Sequence, residues 1–402
     1  MLLYIISYSF GNIRKTESLP KMEGSLFAKR VLAVQPSATF KYAALAKKPG
    51  VINLTIGRPG FNTPKVIVDA AKKALDEGQH HYGPTNGVPE LREKVAHQLT
   101  SKGVKGIDKD KVVISMGAKN ILYQIFMSLV DRGEKVALPD PSWVSYESMV
   151  QLAEGKVAWL PLKPENGFVP DSDFMSALDS SKAKMVVINT PNNPTGAVYP
   201  EKILREIIRI AGQNDMWIIS DECYDTIIYD EKHFSIGSAY DKTITVNAFS
   251  KPYSMTGWRL GYAACPNKEI IDKMVLIQEQ SISNPVTFAQ YGALACFTPE
   301  AQHAAKEMTE AFKKRRDYSM ERITEFDCTC VRPGGAFYIF PFFKNWDDVK
   351  LADTLLEAGV GTVPGSPFGS RGKGCIRMSY GNADIPELEE AFNRMAKVKG
   401  LK

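Results

Sequence analysis

Two cations stand eight residues apart in one loop of the sequence. Lys251 and Arg259 lie between the apolar runs 243–248 and 260–264, whose small and β-branched residues are typical of buried strands. Burial and a neighbouring cation lower the pKa of a lysine, and the neutral amine is a nucleophile toward carbonyl groups. The loop therefore predicts a reactive amine beside a second cation that can hold an anion.

Four other loops carry chemically useful residues directly after an apolar run. Asp221 follows the run 216–220, and a carboxylate in such a place is costly to bury unless a cation or a strong donor meets it. Gly117 and Ala118 follow the run 111–116 and open a helix, where backbone N–H groups can reach an anion. The other two loops supply an aromatic ring at Trp143 and an amide at Asn193.

These loops belong to a regular alternation of strands and helices. Apolar runs with strand character recur along the chain, and helical patterns such as 120–130 and 202–211 fall between many of them. Such alternation predicts an α/β fold with a mostly parallel sheet covered on both faces, and ligands bind beyond the carboxyl ends of its strands. The predicted strands are 111–116, 135–138, 157–162, 185–188, 216–220, 243–248 and 260–264.

A smaller region of α+β character is expected after residue 298. We expect residues 51–298 to form a large domain, and residues 1–50 to join residues 299–402 in a small one. Segment 54–61 is the expected hinge between them, and Thr63 is expected to cap a helix that starts at Pro64. The predicted elements of the later region are a helix at 299–326, a strand pair within 328–343, a helix at 349–358, a strand at 376–380 and a helix at 385–397.

Composition argues against several classes of partner. Of the 402 residues, 44% are hydrophobic and 24% are charged. The formal net charge is +5 without a block of like charges, so we expect neither nucleic-acid nor membrane binding. The six cysteines lack metal-ligand spacing, which predicts reduced thiols in a cytoplasmic protein and no bound metal. The apolar run 1–6 is too short to span a bilayer and is a poor signal peptide.

The candidate residues together fit one cofactor, pyridoxal 5′-phosphate (PLP). Its aldehyde takes a lysine as a Schiff base, its phosphate needs an arginine and backbone donors, and its ring nitrogen needs an anion to remain protonated. The Lys251 loop, the Gly117 helix start and Asp221 provide these groups. An aromatic ring and an amide complete the expected surroundings of a planar, polar ring.

Three motifs carry a resemblance to a known family. Ser250-Lys251 with Thr256-Gly257-Trp258-Arg259, Asn193-Pro194-Thr195-Gly196 and Asp221-Glu222-x-Tyr224 resemble the motifs of class I aminotransferases of the PLP fold-type I group. Within that group the chain looks most similar to the gamma subgroup of aspartate aminotransferases, from about residue 32 to its end. The resemblance implies a mostly parallel, seven-stranded central sheet in a large domain, with a smaller α+β domain built from both chain ends.

The resemblance also implies how the cofactor would be held. Lys251 would form the Schiff base and then carry the proton, and Asp221 would pair with the ring nitrogen. Tyr224 and Asn193 would hydrogen-bond the ring hydroxyl, and Trp143 would stack on the ring. The phosphate would be met by Gly117, Ala118, Ser250 and Arg259, and by Tyr82 from the neighbouring subunit, so a homodimer with shared active sites is implied.

The implied substrate contacts centre on a second arginine. Arg377 would hold the substrate α-carboxylate with two parallel hydrogen bonds, and the backbone of Gly57 would touch the same group. Asn193 and Trp143 would also contact the substrate, and Lys119 would recognise an acidic side chain. Two positions depart from the commoner family pattern: Ala248 stands where Ser or Gly is usual, and Arg58-Pro59-Gly60-Phe61 stands where Glu-Pro-Asp-Phe is usual.

The implied reaction is ping-pong transamination between an L-amino acid and a 2-oxo acid. Aspartate or glutamate is favoured through Lys119, with 2-oxoglutarate as the second substrate. Aromatic, alanine and branched-chain amino acids stay open as alternative substrates. A PLP-dependent carbon–sulfur β-lyase would share Lys251 and Asp221, and a non-catalytic PLP-binding regulator is a third alternative. Residues 1–50 are too short to supply the helix-turn-helix module that such regulators carry.

Overall fold

The computed structural model describes residues 26–402, so the apolar run 1–6 lies outside the described part of the chain. The strands in the described residues are β1 (Ile52–Asn53), β2 (Val112–Ser115), β3 (Lys135–Asp140), β4 (Lys156–Pro161), β5 (Met185–Asn189), β6 (Trp217–Asp221), β7 (Thr243–Ala248), β8 (Gly261–Ala264), β9 (Tyr338–Ile339), β10 (Val360–Gly361), β11 (Val363–Pro364) and β12 (Ile376–Ser379). The α-helices there are α1 (Lys29–Leu32), α2 (Ala38–Leu45), α3 (Lys65–Asp76), α4 (Pro89–Ser101), α5 (Gly117–Leu129), α6 (Ser145–Leu152), α7 (Ser172–Ser180), α8 (Glu201–Gln213), α9 (Lys268–Ser281), α10 (Thr287–Leu294), α11 (Pro299–Ile323), α12 (Asp348–Glu357) and α13 (Ile385–Met395).

A central sheet of seven strands organises the fold, in the order β2-β8-β7-β6-β5-β3-β4. Strand β8 runs antiparallel to both of its neighbours, and the other neighbouring strands are parallel. Every residue of β5 and β7 is buried, as expected for strands covered on both faces. All seven runs predicted as strands lie in this sheet, and the predicted α/β fold is confirmed.

Helices cover the two faces of the sheet. Val187 and Ile188 are adjacent in β5, so their side chains point to opposite faces. Val187 packs in the same apolar cluster as Ile125 of α5, whereas Ile188 packs in the cluster that contains Ile207 of α8. This two-sided covering leaves the ends of the strands as the places where polar side chains gather.

The start of α3 differs from the expectation. Pro64 occupies the N-cap position and no side chain caps the helix, so the predicted Thr63 cap is wrong. The Thr63 hydroxyl instead donates to the carbonyl oxygen of Ser254 at 2.9 Å and accepts the indole N–H of Trp258 at 3.2 Å. Thr63 is therefore used to hold the loop that contains Lys251.

A second, smaller sheet has the order β11-β12-β9, and β1 pairs in parallel with β10. The strand pair predicted within 328–343 is wrong: the described residues there form only β9 and a single bridge between Thr329 and Phe342. The intervening backbone makes other contacts, because Gly335 forms a bridge with Ile228 and donates its N–H to the carbonyl oxygen of Gly196.

No helix in residues 26–402 combines the length and apolarity needed to cross a membrane. The longest, α11, spans 25 residues and carries charged side chains along its length. All six cysteines lie in the described part of the chain and none forms a disulfide; four are buried and two are partly buried.

Candidate active site

Lys251 lies three residues beyond β7, where the loop turns toward the small sheet. Its Nζ donates to the carbonyl oxygen of Gly57 at 2.6 Å and lies about 6 Å from the ring centres of Tyr224 and Phe337. Burial lowers the pKa of Lys251 to about 8, and the guanidinium of Arg377 adds to this effect. The predicted reactive amine therefore belongs to a partly buried lysine that loses its proton more readily than an exposed one.

Asp221 ends β6 and is 5% exposed. Its carboxylate accepts the Tyr146 hydroxyl at 2.5 Å and the backbone N–H of Cys223 at 3.2 Å. No ion pair with a lysine, arginine or histidine of residues 26–402 reaches it, and burial raises its pKa. A buried carboxylate without a counter-ion is a ready partner for a cationic ligand group.

Arg377 lies on β12 and is 1% exposed. One Nη donates to the Asn193 side-chain oxygen at 3.0 Å, and the other donates to the Thr55 carbonyl oxygen at 2.7 Å. The guanidinium stacks near the rings of Tyr338 and Phe368, at 4.8 and 5.1 Å from their centres. Its Nε is buried without a partner in the described chain, so one strong donor is available for a ligand anion.

Asn193 and Tyr224 connect the loops that follow β5 and β6. The Asn193 backbone N–H donates to the Asn189 side-chain oxygen at 2.9 Å, and the Asn189 amide donates to the Asp221 carbonyl oxygen at 3.0 Å. The Tyr224 hydroxyl lies 2.9 Å from that of Tyr338, and burial raises the pKa of Tyr224. These contacts place Asn193 next to Arg377 and Tyr224 next to Lys251.

Arg259 packs against the start of α5. Gly117 has φ +79°, and a Cβ at this position would lie 2.9 Å from an Nη of Arg259. A Cβ on Gly261 would likewise lie only 2.7 Å from the backbone N of Ala118, so β8 packs closely against the start of α5. The helix start and the Arg259 guanidinium therefore face each other, which is the arrangement expected for a phosphate. Ser250 is buried in the loop that leads to Arg259.

Lys119 and Trp143 form the other end of the site. The Lys119 Nζ lies 5.3 Å from the centre of the Trp143 ring and 5.3 Å from that of Phe40. Trp143 packs edge-on against Tyr146, with ring centres 5.3 Å apart. The pKa of Lys119 is lowered, first by partial burial and then by Arg259. Trp143 therefore touches both Lys119 and the tyrosine that holds Asp221.

Tyr82 lies apart from this cluster, and Ala248 adds no polar group to it. Tyr82 is 89% exposed in the single chain, so its role on a neighbouring subunit stays a prediction. Ala248 is buried opposite Gly261 in the β7–β8 pair and supplies no hydroxyl. The carbonyl oxygen of Gly57 accepts the Lys251 amine, which is a contact that the sequence did not indicate.

Sequence reasoning missed several residues of the site. Tyr146 could have been found, because it follows Trp143 by three residues, and its backbone N–H donates to the Trp143 carbonyl oxygen at 3.1 Å at the start of α6. The others come from segments distant in sequence and carry no local motif. They are Phe40, Thr55, Tyr338 and Phe368.

The chain resembles known proteins over nearly all of its length. The family described as Aminotransferase class I and II matches residues 49–395. The aspartate/prephenate aminotransferase of Thermus thermophilus is 40% identical over 385 residues, covering 93% of this chain and 98% of the relative. The aromatic-amino-acid aminotransferase 2 of Thermococcus litoralis is 40% identical and covers 92% of this chain and 97% of the relative.

A solved structure shows the same similarity in three dimensions. The aspartate aminotransferase from Thermus thermophilus with maleate superposes with a TM-score of 0.88 at 38% identity, covering 92% of this chain and 99% of that one. Sequence motifs, fold and site geometry thus agree, and the chain belongs to the class I and II aminotransferases.

Proposed function

We propose that the protein transfers an amino group between an L-amino acid, preferentially aspartate or glutamate, and a 2-oxo acid such as 2-oxoglutarate, with PLP as cofactor. One observation carries the proposal: three charged groups lie near one another, and none of them forms an ion pair within residues 26–402. Lys251 has a lowered pKa, Asp221 has no counter-ion among the described residues, and Arg377 has an unpartnered Nε. A lysine-bound cofactor with a cationic ring and a carboxylate-bearing substrate would satisfy all three.

The residues present fit the cofactor. Asp221 would hold the ring nitrogen, since its carboxylate is buried and lacks a cation. Asn193 and Tyr224 would hold the ring hydroxyl, and Trp143 would cover the ring. Gly117 lacks a Cβ, which would lie 2.9 Å from an Nη of Arg259, so the guanidinium packs directly against the start of α5. The phosphate would lie near Gly117, Ala118, Ser250 and Arg259. When bound, the cofactor supplies an aldehyde and an electron-withdrawing ring.

Lys251 is the group that moves the proton. With a pKa near 8, a substantial fraction of the free amine is neutral at physiological pH, so Nζ can accept the proton from the substrate α-carbon and return it elsewhere. Phe337 and Tyr224 lie beside this partly buried amine and reduce its contact with bulk water, which would compete for that proton. Arg377 stays protonated at any physiological pH and contributes a fixed positive charge instead.

Arg377 would hold the substrate α-carboxylate. Its guanidinium is kept in place by Asn193 and by the Thr55 carbonyl oxygen, so little side-chain freedom is lost on binding. At the far end of the site, Lys119 would bind the second carboxylate of aspartate or glutamate. This contact favours acidic over alanine, branched-chain or aromatic substrates, because the ammonium has no carboxylate partner within residues 26–402.

The assembly and domain division are part of the same proposal. We propose a cytoplasmic homodimer in which Tyr82, exposed in the single chain, reaches the phosphate of the other subunit. Unpaired cysteines are compatible with a reducing compartment. We further propose that residues 51–298 form the large domain and residues 1–50 with 299–402 the small one, a division supported by the separation of the seven-stranded sheet from the three-stranded one.

Two measurements test the proposal. Borohydride reduction of the holoenzyme followed by peptide mapping should place the pyridoxyl group on Lys251, and a label on another lysine would contradict the assignment. A panel of amino acids, each mixed singly with holoenzyme, should then bleach the absorbance of the lysine-bound cofactor fastest with aspartate or glutamate. Release of pyruvate and ammonia without any oxo-acid acceptor would identify a β-lyase instead.

A further inference from the structure

Phe40 is an exposed aromatic side chain beside the candidate active site. It lies on α2 and keeps 69% of its surface exposed, although large apolar side chains are usually covered. Its ring centre is 5.3 Å from Lys119 Nζ, the same distance as the ring of Trp143. Two aromatic rings thus flank the ammonium, and both are within the range of a cation–π interaction.

The Lys119 ammonium makes no other strong interaction. Within residues 26–402 it has neither a hydrogen bond nor an ion pair, and its contacts there are with the two aromatic rings. It therefore keeps its donors for a ligand. The space around it combines one cation with two flat apolar surfaces, and such a space suits a carboxylate or a planar ring.

Phe40 and Trp143 belong to different parts of the molecule. Trp143 precedes α6, which packs on the central sheet, whereas α2 packs against β10 and β11. Strand β11 in turn pairs with β12, which carries Arg377. Helix α2 is also tied to α12 by the hydrogen bond from the Tyr42 hydroxyl to Asp353, at 2.9 Å. Phe40 therefore sits on the same packed unit as the arginine that would hold the substrate.

We propose that Phe40 is a specificity-determining residue that, with Trp143, encloses Lys119 Nζ in an aromatic slot and admits ring-bearing amino and 2-oxo acids beside dicarboxylic ones. The inference rests on the proposed transaminase function. A dicarboxylate forms an ion pair with the Lys119 ammonium, and the two rings exclude water from this ion pair. A substrate with an aromatic side chain places its ring against Phe40 instead. Phe40 and Arg377 share one packed unit, whereas Lys119 and Trp143 belong to the part built on the central sheet, so the slot forms where the two parts meet.

The test compares two amine-free ligands on the holoenzyme. Maleate serves as the dicarboxylate probe and 3-phenylpropionate as the aromatic probe, and the Kd of each is read from the absorbance of the bound cofactor. Phe40→Ala should weaken 3-phenylpropionate about 10-fold, the size expected when one ring contact and its buried area are lost. Maleate should weaken only about 2- to 3-fold, since the ammonium keeps Trp143.

Matched variants distinguish an effect of the aromatic ring from an effect of side-chain volume and from an effect of misfolding. Phe40→Tyr should keep the wild-type ratio of the two Kd values, and Phe40→Leu should lose most of the aromatic preference although it fills similar space. Leu276→Ala, at another exposed apolar position, should change neither Kd. Thermal denaturation of each variant controls for folding, and sedimentation velocity controls for subunit association.

Three outcomes would overturn the role of Phe40: equal weakening of both ligands, no change in either, or dissociation of subunits with unchanged ligand affinity. Failure of the wild type to bind 3-phenylpropionate at all would also overturn it. These results leave the proposed function in place if maleate binds and aspartate reacts. If maleate does not bind while the aromatic ligand responds to Phe40→Ala, the dicarboxylate preference fails and the role of Phe40 stands.

Discussion

Two carboxylates follow one another at the end of β6 and have opposite surroundings. Glu222 is 1% exposed and accepts the hydroxyls of Ser220 and Ser235 at 2.8 Å, with His233 Nε2 3.0 Å away. Asp221 is almost as buried, but its donors are a tyrosine hydroxyl and the backbone N–H and thiol of Cys223, with no cation among the described residues. Glu222 thus has a complete set of hydrogen-bond partners within the protein, whereas Asp221 has an incomplete one.

Two lysines show the same contrast. Lys102 forms an ion pair with buried Asp225 at 2.5 Å, and this carboxylate outweighs burial and raises the pKa of Lys102. Lys251 has a backbone carbonyl oxygen instead of a carboxylate, and burial lowers its pKa to about 8. The region around Glu222 and Lys102 therefore satisfies its charges internally, whereas the region around Asp221 and Lys251 leaves them for a ligand.

The largest expected effect follows from replacing Asp221. Asp221→Ala should lower kcat about 10³-fold, because one preorganised charge at the reacting centre is removed. It should change the resistance of the apoenzyme to urea little, because the Tyr146 hydroxyl loses its acceptor while a carboxylate buried without a counter-ion is removed. Stopped-flow half-reactions and urea titrations measure the two effects, with Asp221→Asn as a control of equal size. Turnover near the wild-type value would contradict the role given to Asp221.

Arg377→Lys should lower kcat/KM about 10²-fold. Lysine keeps the charge but cannot offer two parallel donors to a carboxylate, and it also loses the stacking on Tyr338. The defect should appear for every amino acid in the half-reaction panel, because the α-carboxylate is common to all of them. A loss confined to acidic substrates would mean that Arg377 binds the side-chain carboxylate instead.

Glu222→Ala should mainly lower the free energy of unfolding and should affect catalytic activity much less. It leaves two buried hydroxyls and His233 without their acceptor, for which we expect a loss of about 3 kcal/mol in the free energy of unfolding. Activity per folded molecule should stay within a few-fold of the wild type. Urea denaturation followed by active-site titration separates the two quantities. A loss of activity as large as that of Asp221→Ala, in a folded enzyme, would remove the contrast between the two carboxylates.

The smallest expected effect is a shift in pH dependence. In the apoenzyme, the acetylation rate of Lys251 should rise with pH and reach half its limit near pH 8, because only the neutral amine reacts. Peptide mass spectrometry after competitive labelling measures this, with exposed lysines of the same sample as references. Arg377→Met removes a neighbouring cation and should move the midpoint upward. A midpoint near the ordinary lysine value of 10.5 would contradict the burial argument.

The sequence predicted the central sheet well, because buried strands such as β5 and β7 are continuous apolar runs between turn residues. It also predicted that Asp221 lies at the end of a strand of that sheet and that Lys251 and Arg259 lie between two strands, whereas their chemical roles stay predictions. It failed at 328–343, where the glycine backbone pairs with Ile228 and Gly196 instead of forming a hairpin. Such contacts join distant segments, and no local pattern encodes them. Phe40 was missed for the same reason.

The segment that follows β1 joins the two halves of the site through backbone oxygens alone. Thr55 accepts from Arg377 and Gly57, two residues later, accepts from Lys251. A ligand that binds Lys251 Nζ takes away the hydrogen-bond donor of the Gly57 carbonyl oxygen, and this oxygen then needs another donor. We therefore expect occupation of the lysine and placement of Arg377 to affect each other through this segment, and such a coupling of binding free energies would be reciprocal. Amide hydrogen exchange of residues 54–58 would report that linkage directly, without any chemical turnover.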